Sequence, residues 1–194
     1  MRLGLSARRF RTSALLPTLI AIGAASANAA NAANAANAAD VADDPCAGFK
    51  WDVSQERQLF AGKPDMVSAG KRQSKPAVLM PDRLFELRLA PHARVKFPVR
   101  PGLKGSTAGT YAGLAIIQPG VAGTYRIAVD QPLWIDVDLR GQLLPPKDFE
   151  GAHGCRTPRK IVEFELTGPQ PYVLQFSGAK EPHMRVTVTR EPGH

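Results

Sequence analysis

The chain has 194 residues, of which 25 are basic and 17 acidic, and a formal net charge of +8. Residues 1–39 contain four of the arginines and no acidic residue, so residues 40–194 carry a net charge of +4. A surplus of this size is typical of a soluble domain. The closest approach to the basic patch of a nucleic-acid-binding protein is Lys71, Arg72 and Lys75 in GKRQSKP, which is interpreted as a solvated loop without clustered aromatic residues, so nucleic acid is not expected as a partner.

Residues 1–29 predict a secretory signal peptide. A segment with four arginines is followed by the apolar run 14–25 and by Ala27-Asn28-Ala29, which fits the small-x-small rule for signal peptidase. The apolar run is shorter than the ~20 residues that cross a bilayer, so we expect no transmembrane span in the mature protein. The predicted location is the periplasm or the extracellular medium.

Residues 30–45 predict a disordered spacer. Within them, Asn-Ala-Ala is repeated three times between residues 31 and 39. The small side chains bury too little apolar surface to offset the entropy of ordering the backbone. We expect folding to begin after this segment.

Residues 46–190 predict one all-β domain, an antiparallel β-sandwich or jelly roll, followed by a frayed tail at 191–194. Short runs alternate apolar and polar residues, and Gly, Pro, Asp and Ser lie between them. No helical run of ten residues is present, although residues 51–60 fit either a broken edge strand or a strand and a short helical turn. The alternating runs are LFELRLA (84–90), RVKFPVR (94–100), TYRIAV (124–129), WIDVDLRG (134–141), KIVEFEL (160–166), YVLQF (172–176) and MRVTVTR (184–190).

The two cysteines, Cys46 and Cys155, predict one disulfide bond. An exported protein meets an oxidising compartment, and no C-x-x-C redox motif is present. Closing a loop of this length is worth about 4–5 kcal/mol in the chain-entropy model. The alternative is a reactive thiol.

The segment KDFEGAHGC, residues 147–155, contains side-chain types that bind metals or move protons. A disulfide at Cys155 would make this predicted loop an anchor rather than a reaction centre. The weak metal candidates are His92, His153 and Glu150, without the close spacing of a metal motif. We therefore expect no metal, no cofactor and no catalysis. The alternative, a metal-dependent enzyme, would require these histidines to converge with Glu150 or Asp148.

Trp134, Asp136 and Asp138 share one face of a predicted strand, opposite the apolar face. A tryptophan among carboxylates can form a binding platform, since sugars stack on aromatic rings flanked by hydrogen-bonding groups. Alternatively, Trp134 covers a sheet edge or packs beneath a loop, and the two aspartates form the solvent face of the strand. Calcium is a further possibility for these carboxylates, but no D-x-D-x-D-G loop is present.

Two resemblances accompany these patterns. AGTYRIAVDQPLWIDV and VLQFSGAKEPHMRVTV resemble the closing hairpins of bacterial pre-peptidase C-terminal domains, which are exported jelly-roll sandwiches that accompany secreted enzymes; the likeness covers residues 121–190. CAGFKWDVSQERQLF, WIDVDLRGQLLPPKDFEGAHGC and KIVEFEL resemble a family of small exported bacterial proteins, some of which carry the name homogentisate 1,2-dioxygenase. No stretch matches the iron-binding motif of the true dioxygenases, so the resemblance implies no metal ligand.

Together these patterns predict an exported, non-catalytic β-sandwich. Its expected partner is a small molecule, a glycan or an envelope protein. A concave aromatic surface around Trp134 would favour a binding module. A long uncovered edge strand would instead favour an envelope structural protein whose sheet pairs with another chain.

Overall fold

The structure, a computed structural model, describes residues 44–104, 106–152 and 154–191. The predicted signal peptide, residues 30–43 of the predicted spacer, His153 and residues 192–194 of the predicted tail lie outside these ranges. Within them, a 3-10 helix covers His92–Arg94 and one α-helix, α1, covers Ser54–Phe60. The strands are β1 (Asp65–Ser68), β2 (Ala77–Leu79), β3 (Leu84–Arg88), β4 (Ala90–Pro91), β5 (Tyr111–Ile117), β6 (Gly123–Val129), β7 (Trp134–Leu139), β8 (Gln142–Leu143), β9 (Asp148–Gly151), β10 (Lys160–Leu166), β11 (Tyr172–Ala179) and β12 (His183–Arg190).

The strands form two sheets that pack face to face. The first sheet has the order β1-β3-β12-β6-β10-β9, and the second has the order β2-β5-β11-β7-β8, with β4 also beside β5. Most neighbours are antiparallel, but β1–β3 and β2–β5 are parallel, so both sheets are mixed. The predicted all-β sandwich is confirmed, but its sheets are mixed and not purely antiparallel as expected, and the jelly-roll order stays a prediction.

Alternation along the strands places one side chain in two between the sheets. The paired rows of β10 and β6 show this, since Val162 lies opposite Ile127 and Phe164 opposite Tyr125, all four buried. β11 supplies further core side chains from the second sheet, including Leu174. Burial of this core provides the main driving force for folding.

The segment RVKFPVR, predicted as a strand, is not one. Its first residue, Arg94, ends the 3-10 helix, and among the described residues its ladder pairing is limited to one isolated β-bridge, between Lys96 and Arg72. Pro98 and Pro101 lack the N–H that a sheet ladder needs. We call residues 95–104 the covering segment, because Val95 packs with Leu114 on the outer face of the second sheet.

The covering segment is also fixed by hydrogen bonds to that sheet. The backbone N–H of Val99 donates to Gln175 Oε1 at 3.3 Å, and Leu103 packs closely against Gly178. A Cβ atom at Gly178 would lie 2.9 Å from Leu103 Cδ2, and this glycine has a φ of +76°, so no other residue fits without strain.

The N-terminal segment, residues 46–60, covers the outer face of the first sheet. Phe49, Val53 and Phe60 are buried against a small second core that includes Ile161. Asp52 accepts a hydrogen bond from the N–H of Ser54 at 2.9 Å, which supports the start of α1. Of the alternatives for residues 51–60, the helical turn is confirmed, whereas no strand forms at residues 51–53.

The predicted disulfide between Cys46 and Cys155 is present and holds this segment to the sheet. The predicted loop 147–155 is corrected, because Asp148–Gly151 forms β9 and pairs with β10 at the edge of the first sheet. Cys155 follows β9 and is buried. The disulfide therefore joins the N-terminal segment to the connection between β9 and β10 of the first sheet.

A buried ion pair lies beneath the N-terminal segment. Arg126 Nε is 2.8 Å from Glu163 Oε1, and both side chains are almost inaccessible to solvent. Arg126 Nη1 also donates to the carbonyl oxygen of Asp52 at 3.0 Å, and its guanidinium lies 5.3 Å from the Trp51 ring centroid. Glu191, expected in the frayed tail, pairs with Arg126 at 3.4 Å and belongs to the sandwich.

We expect Cys46→Ala combined with Cys155→Ala to lower the free energy of unfolding by about 3–5 kcal/mol, because the bond closes a loop with a sequence separation of 109. Guanidinium denaturation measures the change. Reduction of the wild-type protein by a thiol reagent controls for the substitutions and should cause a similar loss. An unchanged unfolding midpoint under reducing conditions would contradict the expectation.

We expect Arg126→Leu to lower the free energy of unfolding by about 3–5 kcal/mol, because Glu163 would stay buried without its cation. Adding Glu163→Leu should recover part of this loss, since both charges are then removed. Denaturation of the two single variants and the double variant forms the test. A double variant whose loss equals the sum of the single losses would show that the pair is not coupled.

Candidate functional site

A small notch opens at the side of the sandwich where β7 of the second sheet faces β9 and β10 of the first. Its volume is about 100 Å³. Ile135 and Val162 at its base belong to the core between the sheets, so the notch exposes the edge of that core. It is lined by Trp134, Ile135, Pro146, Phe149, Lys160 and Val162.

Two exposed aromatic side chains flank the notch. Phe149 is 64% exposed and Trp134 is 39% exposed. The register places Phe149 opposite Val162, on the core-facing side of the first sheet. Because β9 is the edge strand there, the Phe149 ring extends beyond the covered core. Exposed aromatic rings beside a concave apolar surface are typical of binding sites.

Lys160 provides the one charged group of the notch lining. Its ammonium donates to the carbonyl oxygen of Leu133 at 2.8 Å and lies 5.5 Å from the Trp134 ring centroid. Burial lowers the pKa of Lys160, and the carboxylate of Asp136 acts in the opposite direction. The cation–π contact helps to hold both side chains in place.

Asp136 fixes the orientation of the Trp134 ring. Trp134 Nε1 donates to Asp136 Oδ1 at 2.8 Å, and the N–H of Gly102 donates to Oδ2 at 3.0 Å. Burial raises the pKa of Asp136, although these two hydrogen bonds and the charge of Lys160 oppose the rise. Since each carboxylate oxygen already accepts a hydrogen bond from the protein, Asp136 acts here as a positioning residue.

The prediction that Asp136 and Asp138 form the solvent face of β7 is wrong, because both side chains are buried. The covering segment lies over this face, through the contact of Gly102 with Asp136. Asp138 Oδ1 accepts a hydrogen bond from the N–H of Gly141 at 2.7 Å. Asp138 does not line the notch, so Trp134 is the part of the predicted platform that reaches it.

The weak metal candidates do not converge in the part of the chain that the structure describes. His92 lies in the 3-10 helix beside the second sheet, with its ring 5.3 Å from that of Phe97, and burial lowers its pKa. Glu150 lies on β9 of the first sheet, 3.9 Å from Lys50 Nζ. His153 is outside the described residues, within which no group of three or more His, Cys, Asp or Glu side chains could hold a metal ion.

Asp148, the other carboxylate of this region, is also paired with Lys50. The ammonium of Lys50 lies 2.6 Å from Asp148 Oδ1. This hydrogen bond, together with that from the N–H of Phe149, holds the pKa of Asp148 below its usual value. The acidic residues of KDFEGAHGC that the structure describes therefore form a surface ion-pair cluster with a lysine of the N-terminal segment.

The sequence patterns missed Phe149 and Lys160 as parts of the site. Phe149 fell in a predicted loop, and Lys160 is the first residue of a predicted strand. Their proximity to Trp134 depends on the pairing of β9 with β10 and on the packing of that sheet edge against β7. Such tertiary contacts leave no local periodic signal.

Comparisons with known proteins identify no family. No family model matches the chain, and no curated protein matches it. Among solved structures, a novel β-glucosidase from Paenibacillus barengoltzii is similar at 15% sequence identity over 64% of this chain and 13% of that one, with a TM-score of 0.26. The chain thus spans a small part of that enzyme, and the likeness supports no conclusion about fold or activity.

We expect carboxyl NMR titration to give Asp136 a midpoint above the ordinary aspartate value, because burial disfavours its charge. Asp148 should titrate below that value, because Lys50 stabilises its charge. The two aspartates serve as controls for each other in one experiment. Midpoints in the reverse order would contradict the assigned environments.

The raised pKa of Asp136 has a consequence for the stability of the protein. A carboxyl whose pKa is higher in the folded state favours folding while it is protonated, and this contribution is lost as the pH rises from the ordinary value of 3.8 through the folded pKa. Asp136→Asn should remove this part of the pH dependence, measured as the difference between the two denaturation profiles.

Proposed function

We propose that this protein is an exported, non-catalytic binding module that recognises a short extended segment of a partner polypeptide. An apolar side chain of the partner occupies the notch between Trp134 and Phe149, and the partner backbone lies beside β9. The observation that carries the proposal is an apolar notch, flanked by two exposed aromatic rings, next to a sheet edge that no described strand covers.

The size of the notch supports recognition of one protruding group. Pockets that enclose a metabolite typically measure about 300–1,000 Å³, whereas the notch measures about 100 Å³. A cavity of about 150 Å³ accommodates benzene. The notch therefore suits one apolar side chain that projects from a larger partner.

The chemistry of the notch supports a peptide over a sugar. A sugar ring needs several hydrogen-bonding groups around its hydroxyls, as well as an aromatic face. Trp134 Nε1 already donates a hydrogen bond to Asp136, and Lys160 already donates one to the carbonyl oxygen of Leu133. These polar groups of the notch are therefore engaged within the protein. An apolar side chain makes no such demand and gains about 1.5–3 kcal/mol when fully buried.

The sheet edge beside the notch supports an extended partner. β9 pairs with β10 on one side, and no other strand of the described residues pairs with its second side, which is where a partner strand is added in the proposed complex. The described edge strands are only two to four residues long. The long uncovered edge expected of an envelope structural protein is absent from the described residues, and a short partner segment fits better.

The location proposed is the periplasm or the extracellular medium. The disulfide supports it, because such bonds persist in oxidising compartments. The predicted signal peptide supports it independently. No helix of the described residues is long and apolar enough to span a membrane.

We expect Phe149→Ser to weaken binding of the blocked peptide Thr-Phe-Thr-Leu-Thr at least about tenfold, since one wall of the notch is lost and 1.4 kcal/mol corresponds to a factor of ten. Two-dimensional NMR reports binding through the Trp134 indole N–H signal, and the Trp51 signal is the internal reference. Met66→Ser is the matched control, because Met66 is 67% exposed on β1, the opposite edge of the same sheet.

A panel of monosaccharides and disaccharides completes this experiment. Movement of the Trp134 signal with a sugar and not with the peptide would overturn the proposed partner. An equal loss of peptide binding in Phe149→Ser and Met66→Ser would overturn the proposed site. Peptide binding that is retained in Met66→Ser and weakened in Phe149→Ser supports both the proposed partner and the proposed site.

A further inference from the structure

Two separate stretches of the chain form one basic surface beside the second sheet. Lys71, Arg72 and Lys75 lie in the turn before β2, and Arg94 and Lys96 lie at and after the 3-10 helix. The N–H of Lys96 donates to the carbonyl oxygen of Lys71 at 2.8 Å, and Arg72 forms a parallel bridge with Lys96. We call these five residues the basic face.

The charge of the basic face is not neutralised by the described part of the protein. All five side chains are exposed, and no carboxylate that the structure describes forms an ion pair with any of them. Residues 66–81 and 87–129 contain no acidic residue. The face therefore presents positive potential to a partner in solution.

The acidic residues are concentrated on the other sheet. In the strands of the second sheet, Asp136 and Asp138 are the acidic residues, and both are buried. Glu86, Glu150 and Glu165 lie on strands of the first sheet. The modest net charge of the chain therefore conceals an uneven distribution.

Two exposed aliphatic side chains lie next to the basic face. Val78 on β2 is 65% exposed, and Met80 is 47% exposed. Val78 lies opposite Ile116 in the register, and Ile116 packs against the cluster that contains Val95. Val78 is thus on the same outer face of the sheet as the segment that carries Lys96.

We infer that the basic face and Val78 bind the surface of a bilayer that contains anionic phospholipid. Basic side chains are attracted to anionic headgroups, and neighbouring aliphatic side chains enter the boundary between headgroups and acyl chains. A nucleic-acid site would instead present aromatic rings for base stacking. The exposed aromatic rings Trp134 and Phe149 lie at the notch, on β7 and β9.

Co-sedimentation of the purified secreted protein with lipid vesicles tests this inference. Vesicles of 30% phosphatidylglycerol in phosphatidylcholine are compared with pure phosphatidylcholine. We expect binding to the anionic vesicles only, and a marked loss when the salt concentration rises from 0.1 to 0.5 M, since salt screens these charges.

Matched charge variants locate the site. Lys71→Gln, Arg72→Gln and Lys96→Gln together should weaken vesicle binding about 100-fold, since each basic residue contributes about fivefold. The control carries the same change at Lys63, Arg156 and Lys180, which are exposed elsewhere, and should bind as the wild type does. Val78→Ser should weaken binding a few-fold and leave its salt dependence unchanged. Thermal unfolding of every variant checks that it is folded.

Three results would overturn the inference. The first is equal sedimentation with both kinds of vesicle. The second is an equal loss in the two triple variants. The third is binding of a double-stranded DNA fragment or of polyphosphate as tight as binding to the anionic vesicles, which would identify a soluble polyanion as the partner. The peptide experiment at the notch is independent of all three.

Discussion

The buried ion pair of Arg126 and Glu163 is the constraint on which the first sheet depends. An ion pair on the outer face of a sheet is weak while water reaches it, and a buried pair requires further hydrogen bonds to offset its desolvation. The N-terminal segment meets both requirements, because it excludes water and supplies the carbonyl oxygen of Asp52 to Arg126. The disulfide keeps that segment in place, so the covalent bond and the ion pair support each other.

The second sheet is covered by a different means. No disulfide holds the covering segment; its contacts with the second sheet include the packing of Val95, the fit of Leu103 against Gly178 and hydrogen bonds from backbone N–H groups to Gln175 and Asp136. Asp136 also bonds to the Trp134 indole. The order of the covering segment and the orientation of one wall of the notch are therefore linked through a single buried carboxyl group.

Periodicity predicted β3, β6, β7, β10, β11 and β12 from their alternating apolar residues, although the outer faces of β6, β10 and β12 are mostly buried as well. It did not predict β5, a seven-residue strand whose sequence YAGLAII does not alternate. It missed β9, because four residues at a sheet edge bury little and carry no clear pattern. It wrongly predicted a strand at RVKFPVR, where the alternating residues belong to an irregular segment that lies on the second sheet. It also placed Asp136 in solvent, because a strand pattern contains no information about a distant segment that covers it. Trp134 was identified from the sequence because it lies on the polar face of a predicted strand, whereas Phe149 and Lys160 could be identified only from the fold.

The strand order has one further consequence for how the molecule meets its surroundings. β2, with Val78, is at one end of the second sheet, while β7, with Trp134, is next to the other end. Occupancy at one end leaves the other sterically free. In the proposed arrangement, adsorption through β2 confines the molecule to two dimensions and raises its local concentration near other surface-bound chains. In that arrangement, weak binding of a short peptide at the notch is sufficient to hold the partner chain near the membrane surface.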